Sequence, residues 1–194
     1  MAALPKTLIS PQEYLEQERK AEYKSEYFNG EVFAMSGARH GHVLIESSLN
    51  RDLGNQLRDK PCEVYTSNMR VRVNPTGAYM YCYPDITVTC EKPRFEDGEL
   101  DTLLNPLFLV EILSDSTEKR DRRVKAPLYR KVESLREYLL VSQHEPYVER
   151  YTRQPSGEWL IKEAEGLDSS IQLASLGVTL KLSEIYRQVE FPQT

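Results

Sequence analysis

Two acidic residues carry the chemistry expected of this chain. Glu111 interrupts the apolar run LFLVEIL at residues 107–113. A run that is apolar on both parities reads as a central strand covered on both faces. An ionised carboxylate inside such a strand loses several kcal/mol of hydration unless a cation or strong donors compensate. An Arg or Lys from a covering helix would do so; so would a metal ion shared with a second acid. Asp85, in Tyr83-Pro84-Asp85, is that second acid. Proline interrupts strand pairing and marks an edge or a bulge. Two neighbouring strands can then set Asp85 and Glu111 side by side, their oxygens converging on one hard cation. Alone, an acid after proline is commonly a strand-end residue; the pair is what points to metal.

The cations lie further on. Residues 119–131 carry Lys119, Arg120, Arg122, Arg123, Lys125, Arg130 and Lys131. They read as a solvated helix face or as a phosphate-binding surface. The formal charge of −5 argues against a passive nucleic-acid coat, so an anionic partner needs such a local patch or a metal. Asp121, Lys125 and Tyr129 are spaced to share a helix face. Pro127 disfavours the helical conformation at Ala126, so the helix is expected to kink or to begin only near Ala126. His42 and Glu46 sit one turn apart on an earlier helix. His40 and His144 have no supporting pattern, and a three-histidine zinc site is not expected.

The elements that must position these residues follow from local patterns. Ser10-Pro11-Gln12-Glu13 is a capping box opening a helix. Residues 24–35 alternate around Asn29-Gly30, a hairpin turn. Ile45, Leu49, Leu53 and Leu57 give residues 42–57 one apolar helical stripe, with Gly54 weakening its end. Strands are expected at 64–73 (ending in the turn Asn74-Pro75-Thr76-Gly77), 81–90 and 107–113, with a loop over 91–105. A helix within 118–134, a strand at 136–142 and a hairpin of 147–153 with 158–163 follow. The tail, 178–189, reads as a short strand and a short helix. Trp159 reads as sheet packing rather than a base-stacking platform.

A chain of 194 residues, 40% hydrophobic and 28% charged, is expected to form one domain over 1–194 with an α/β (α+β mixed sheet) pattern. No apolar run approaches the roughly 20 residues of a membrane span. Residues 1–6 lack the apolar segment of a secretory leader. Cys62, Cys82 and Cys90 are an odd set without Cys-x-x-Cys spacing and read as reduced, mostly buried thiols. A cytoplasmic protein is the expectation.

As an ordered set, several of these motifs resemble the restriction-endonuclease-like bacterial family of the PD-(D/E)XK phosphodiesterase superfamily. They are Glu26-Tyr27-Phe28-Asn29-Gly30, Met35, His42, Pro84-Asp85, Glu111-Ile112-Leu113-Ser114, Thr117, Asp121, Lys125, Tyr129 and Glu137-Tyr138-Leu139. The resemblance implies a core of helices flanking a central mixed β-sheet, with an N-terminal helix and hairpin and a C-terminal hairpin. It implies a Mg²⁺- or Mn²⁺-dependent endonuclease acting on nucleic acid, DNA first. Asp85 and Glu111 would be metal ligands, with Lys125 catalytic. The superfamily's lysine would fall at Leu113; the closer family carries one at Lys125, from which a four-carbon stem can reach back. His42, Glu46, Glu26 and Asp121 would support the site, His42 and Glu46 by touching the metal, its water or the substrate. Helix capping or a packed polar contact is the alternative for His42. Double-strand cleavage needs two sites, so a homodimer is expected. The substitution at Leu113 and the acidic charge favour a second reading, an inactive nuclease-fold module that binds DNA or a protein partner. A hydrolase or binding protein for a small phosphorylated ligand is a third.

Overall fold

The computed structural model of the chain describes residues 8–73 and 79–191. Residues 1–6, on which the leader expectation rests, and the turn expected at 74–77 lie outside them. Ser10 caps α1 (Pro11–Glu18). Its side chain accepts from the Glu13 N–H at 3.2 Å, and the Glu13 carboxylate accepts from the Ser10 N–H at 2.7 Å. Strands β1 (Ser25–Phe28) and β2 (Glu31–Ala34) form the hairpin. Asn29 and Gly30 at its tip have φ of 46° and 95°, the left-handed pair that a two-residue turn requires. Helix α2 (His40–Gln56) starts two residues ahead of the expected His42 and buries Ile45, Leu49 and Leu53.

Two expected strands divide. Residues 64–73 form β3 (Glu63–Thr66) and β4 (Arg70–Val73), parted by a turn at 67–69. Residues 81–90 form β5 (Met80–Cys82) and β6 (Ile86–Thr89), parted at Tyr83-Pro84-Asp85, where proline has no N–H to pair. In each case the two pieces join different sheets. The expected loop at 91–105 includes β7 (Thr102–Leu103). Strand β8 (Phe108–Leu113) is buried along its whole length, as its composition predicts.

After β8 comes a helical run in three parts: α3 (Glu118–Arg120), a π-helical segment (Asp121–Lys125) and α4 (Ala126–Tyr129). The widened turn, closed by the Ala126 N–H on the Asp121 carbonyl, lies directly ahead of Pro127. A proline ring clashes with the carbonyl four residues back in a regular α-helix, and a π-bulge is one way to relieve that. The run therefore does not begin late at Ala126, and the irregularity expected from Pro127 takes the form of this π-helical turn. Strands β9 (Glu137–Ser142), β10 (Tyr147–Arg153), β11 (Trp159–Glu165), β12 (Ser170–Leu173) and β13 (Val178–Lys181) and helix α5 (Leu182–Ile185) complete the chain.

One sheet runs β2-β1-β5-β4-β7, the second β11-β10-β9-β8-β6-β3, and β12 and β13 pair as a small third. The second is mixed: β8 is antiparallel to β6 and parallel to β9. Side chains alternate across a strand, so β8 has two distinct faces. Phe108, Val110 and Ile112 pack with the α2 stripe. Leu109 and Leu113 pack with Val71, Val73, Met80 and Cys82 of the other sheet and with Tyr129. Glu111 shares the parity of Leu109 and Leu113. It enters the space between the sheets.

Cys62 and Cys90 lie one step beyond the Glu63–Thr89 pair of the β3–β6 ladder and are joined by a disulfide; Cys82 is free and buried. The expectation of reduced thiols is corrected for two of the three. Strand register brings together a pair that an odd count without local spacing concealed, and the cysteine argument for a reducing compartment falls with it. The cross-link closes a separation of 28 residues, so Cys62→Ser should lower stability by about 3–4 kcal/mol. Urea unfolding of the oxidised wild type and the variant checks this.

Candidate active site

The site lies at the end of β8 from which the helical run departs. Continuing the Ile86–Val110 register by one residue sets Asp85 across from Glu111. Asp85 is held at both oxygens. One accepts from the Ile112 N–H at 2.6 Å, and the other lies 2.9 Å from His42 Nε2 on the first turn of α2. A carboxylate has about four acceptor positions, so these two contacts orient Asp85 without exhausting it. Proline makes this possible: without a ladder at Pro84, the next residue is released to cap the neighbouring strand with its side chain.

Glu111 is 4% exposed. Its Oε1 receives Lys125 Nζ at 3.3 Å and a short hydrogen bond from the Tyr129 hydroxyl; Oε2 has no such partner among the described residues. The compensating cation thus comes from a covering helix. Lys125, 5% exposed, is ringed by carboxylates: Glu26 at 2.7 Å, Asp121 at 3.1 Å and Glu111 at 3.3 Å. Arg120 reaches Glu26 at 3.3 Å and lies over the Phe33 ring.

These contacts set the charges. Burial pushes the Glu111 carboxyl well above its usual range; Lys125 opposes this, while Asp121, Asp85 and Glu26 add to it. Burial likewise raises Asp121 against the pull of Lys125. For Lys125 burial acts the other way, but Glu111, Glu26 and Asp121 outweigh it and hold the ammonium charged. Burial also works against a charged His42, yet the hydrogen bond and charge of Asp85 raise its pKa.

Asp85, Glu111, Ile112, His42, Glu46, Asp121 and Lys125 all line one cavity of about 590 Å³. Among the described residues, one group of three metal-binding side chains has its ligand atoms within 4.8 Å of one another: His42, Glu46 and Asp85. Glu111, drawn toward Lys125 and Tyr129, stands outside that group. The donor set fits a divalent cation. Five carboxylates line the cavity (Glu46, Asp85, Glu111, Asp115, Asp121) against three cations (Lys24, Arg39, Lys125), a formal negative excess even with His42 protonated. The donors are mostly oxygen, which suits magnesium or manganese.

Sequence reasoning placed Glu26 among the supporting residues without saying how it acts; the structure makes it the nearest partner of Lys125. It did not foresee the Tyr129 hydroxyl on Glu111, although the i+4 step from Lys125 was its signal. Three cations of the basic run are neutralised: Arg120, Arg122 and Lys125 are bound by Glu26, by Glu118 and Glu149, and by the buried acids. His144 pairs with Asp115 at 3.0 Å on an exposed surface.

Comparisons with known proteins agree with this picture. A family model, Uma2, described as “Putative restriction endonuclease”, matches residues 11–183. The chain is 35% identical over 190 residues to “Uncharacterized protein slr1290” of Synechocystis sp., across 98% of this chain and 96% of that one. It is 32% identical over 171 residues to “Uncharacterized protein sll1609” of the same organism, across 88% and 96%. The crystal structure of “a putative nuclease belonging to DUF820” from Anabaena variabilis superposes with a TM-score of 0.72. It covers 92% of this chain and 97% of that one at 17% identity, where the likeness bears on the fold alone. The α/β architecture with a mixed central sheet is shared, and no helix among the described residues is long and apolar enough to cross a membrane.

Proposed function

This chain belongs to the Uma2 family of “Putative restriction endonuclease” proteins, and from that premise we propose that it is a divalent-metal-dependent endonuclease hydrolysing phosphodiester bonds, DNA first among its substrates. The observation that carries the reading is the excess of carboxylates around one cavity, with Asp85 fixed at both oxygens and Glu111 fixed at only one. Asp85 and Glu111, with His42 and Glu46 beside Asp85, would hold Mg²⁺ or Mn²⁺. Such an ion, when bound, acidifies water and offsets charge on the phosphate.

The chain's own groups do the rest. Lys125 is a fixed positive charge rather than a base, because three carboxylates hold its proton in place. It stabilises negative oxygen as charge builds on the phosphate. Tyr129 and Lys125 hold one oxygen of Glu111, while His42 and the Ile112 amide hold both oxygens of Asp85. Hydrolysis joins a water oxygen to phosphorus and breaks the opposite P–O bond in line; the water's proton goes to solvent and the leaving oxygen takes one up. A symmetric pair of chains in the cytoplasm would supply two such sites for two strands.

Metal should also stabilise the fold. At a free Mn²⁺ concentration about a hundred times its Kd, linkage adds about 2.7 kcal/mol, or roughly 5–10 °C in melting midpoint for a chain of this size. Differential scanning calorimetry with and without Mn²⁺ measures it, and Asp85→Asn should remove the shift. The direct test of function is cleavage of varied DNA with Mg²⁺ or Mn²⁺. An uncut substrate set, with wild type equal to Asp85→Asn throughout, would overturn the reading in favour of a binding module.

A further inference from the structure

The helical run and the turn after it carry seven cations, and the fold sorts them into two sets. Arg120, Arg122 and Lys125 turn inward onto named carboxylates. Lys119, Arg123, Arg130 and Lys131 have no ion-pair partner among the described residues. Lys119, Arg123 and Lys131 are exposed and Arg130 is half-buried. Lys119, Arg123 and Pro127 follow one another at steps of four, a row along one helix face. Pro127, Arg130 and Lys131 then line a separate open groove of about 780 Å³, together with Trp159 and Leu160. The inward face of the same run, Asp121 and Lys125, lines the acidic cavity. One helical run therefore joins the candidate active site to a basic groove that ends on an aromatic ring.

In a chain of formal charge −5, unpaired cations gathered on one face imply a polyanion that the protein itself does not supply. Glu158 is the one carboxylate among the residues lining the groove. Residues 119–130 span about 17 Å at 1.5 Å per residue, a length of duplex axis over which each strand carries about five phosphates. We infer that the row Lys119, Arg123, Arg130 and Lys131 is the track that holds the phosphate backbone of DNA flanking the scissile bond and leads it into the Trp159 groove. The inference rests on the endonuclease reading for the scissile bond, but not for the binding itself. It narrows the phosphate-binding expectation for the basic run to part of it: Arg120, Arg122 and Lys125 are held by carboxylates, with Lys125 at the reacting phosphate, and the outward four are free for the flanking backbone.

The test is the salt dependence of binding. A fluorescein-labelled DNA duplex of mixed sequence is titrated with the full-length protein in chelator, so that nothing is cut, over a series of salt concentrations. Each neutralised phosphate contributes about −0.9 to the slope of log K against log salt. Replacing all four cations by glutamine should therefore flatten the slope by about 3.6. A charge-retaining variant (Lys119→Arg, Arg123→Lys, Arg130→Lys, Lys131→Arg) should keep the wild-type slope, and circular dichroism should show all three proteins folded alike. Trp159 is the one tryptophan in the sequence, so its emission reports the groove directly and should change on binding. Wild-type slope and affinity in the glutamine variant, an unmoved Trp159 emission, or no DNA binding by the wild type would each overturn the inference. A flattened slope without any metal-dependent cleavage sustains the track and sinks the endonuclease. Cleavage with an unchanged slope does the reverse.

Discussion

Replacing Lys125 by methionine should destabilise the protein by about 3–5 kcal/mol, the range found when one partner of a buried ion pair is removed. The stem and volume are kept and only the ammonium is lost. Glu26, Asp121 and Glu111 then face one another with no shared cation, in a space where all three are nearly excluded from water. Arg120 remains on Glu26 but touches neither of the others. A second substitution separates this electrostatic account from simple loss of packing. Glu26→Gln removes one of the stranded charges while keeping its shape, so adding it to Lys125→Met should recover part of the loss. Urea unfolding of the wild type, both single variants and the double variant gives the coupling. Strictly additive losses would mean that the ring of carboxylates is not the reason the lysine is there.

The largest effect on activity is expected at Asp85. Asp85→Asn keeps an oxygen to accept from the Ile112 N–H and an amide beside His42, so the fold and its melting midpoint should change little. The carboxylate charge, however, is gone from the group of His42, Glu46 and Asp85. A bound metal contributes several kcal/mol of charge stabilisation to phosphoryl transfer, so cleavage should fall by about a thousandfold or more, at tenfold per 1.36 kcal/mol. Gel assays with Mg²⁺ and Mn²⁺ on the same DNA read the loss. Retained cleavage would remove Asp85 from the machinery.

What the sequence made legible tracks how local the determining physics is. The Ser10–Glu13 capping box, the Asn29-Gly30 hairpin and the α2 stripe are decided within a few residues, and all three stand as expected. So does β8, whose unbroken apolar run has no other comfortable place than a buried strand. The split of 81–90 was half visible, since Pro84 announced an interruption without saying that β5 and β6 would enter different sheets. The Cys62–Cys90 bridge was not visible at all, because it depends on β3 pairing with β6 across 28 residues.

The site shows the same division. Glu111 announced itself by being a carboxylate where none should be comfortable. Of the two compensations weighed for it, the structure shows the first: Lys125, from a covering helix, lies on one oxygen. Glu26 could not be placed, as its role exists only once β1 lies against the helical run that carries Arg120 and Lys125. The basic run was legible only in part, because sequence counts cations without showing which way they turn. Arg120, Arg122 and Lys125 look the same on paper as Lys119 and Arg123, and only the fold distinguishes them.

The central claim is that this cavity holds a divalent cation on Asp85. Crystals soaked in Mn²⁺ and measured at a wavelength where manganese scatters anomalously test it directly. The account expects one strong anomalous peak within coordination distance of the Asp85 carboxylate, with Glu111 or the His42 and Glu46 pair completing its protein ligands. A cavity without that peak, with Asp85 still resting on His42 and the Ile112 amide, would contradict it.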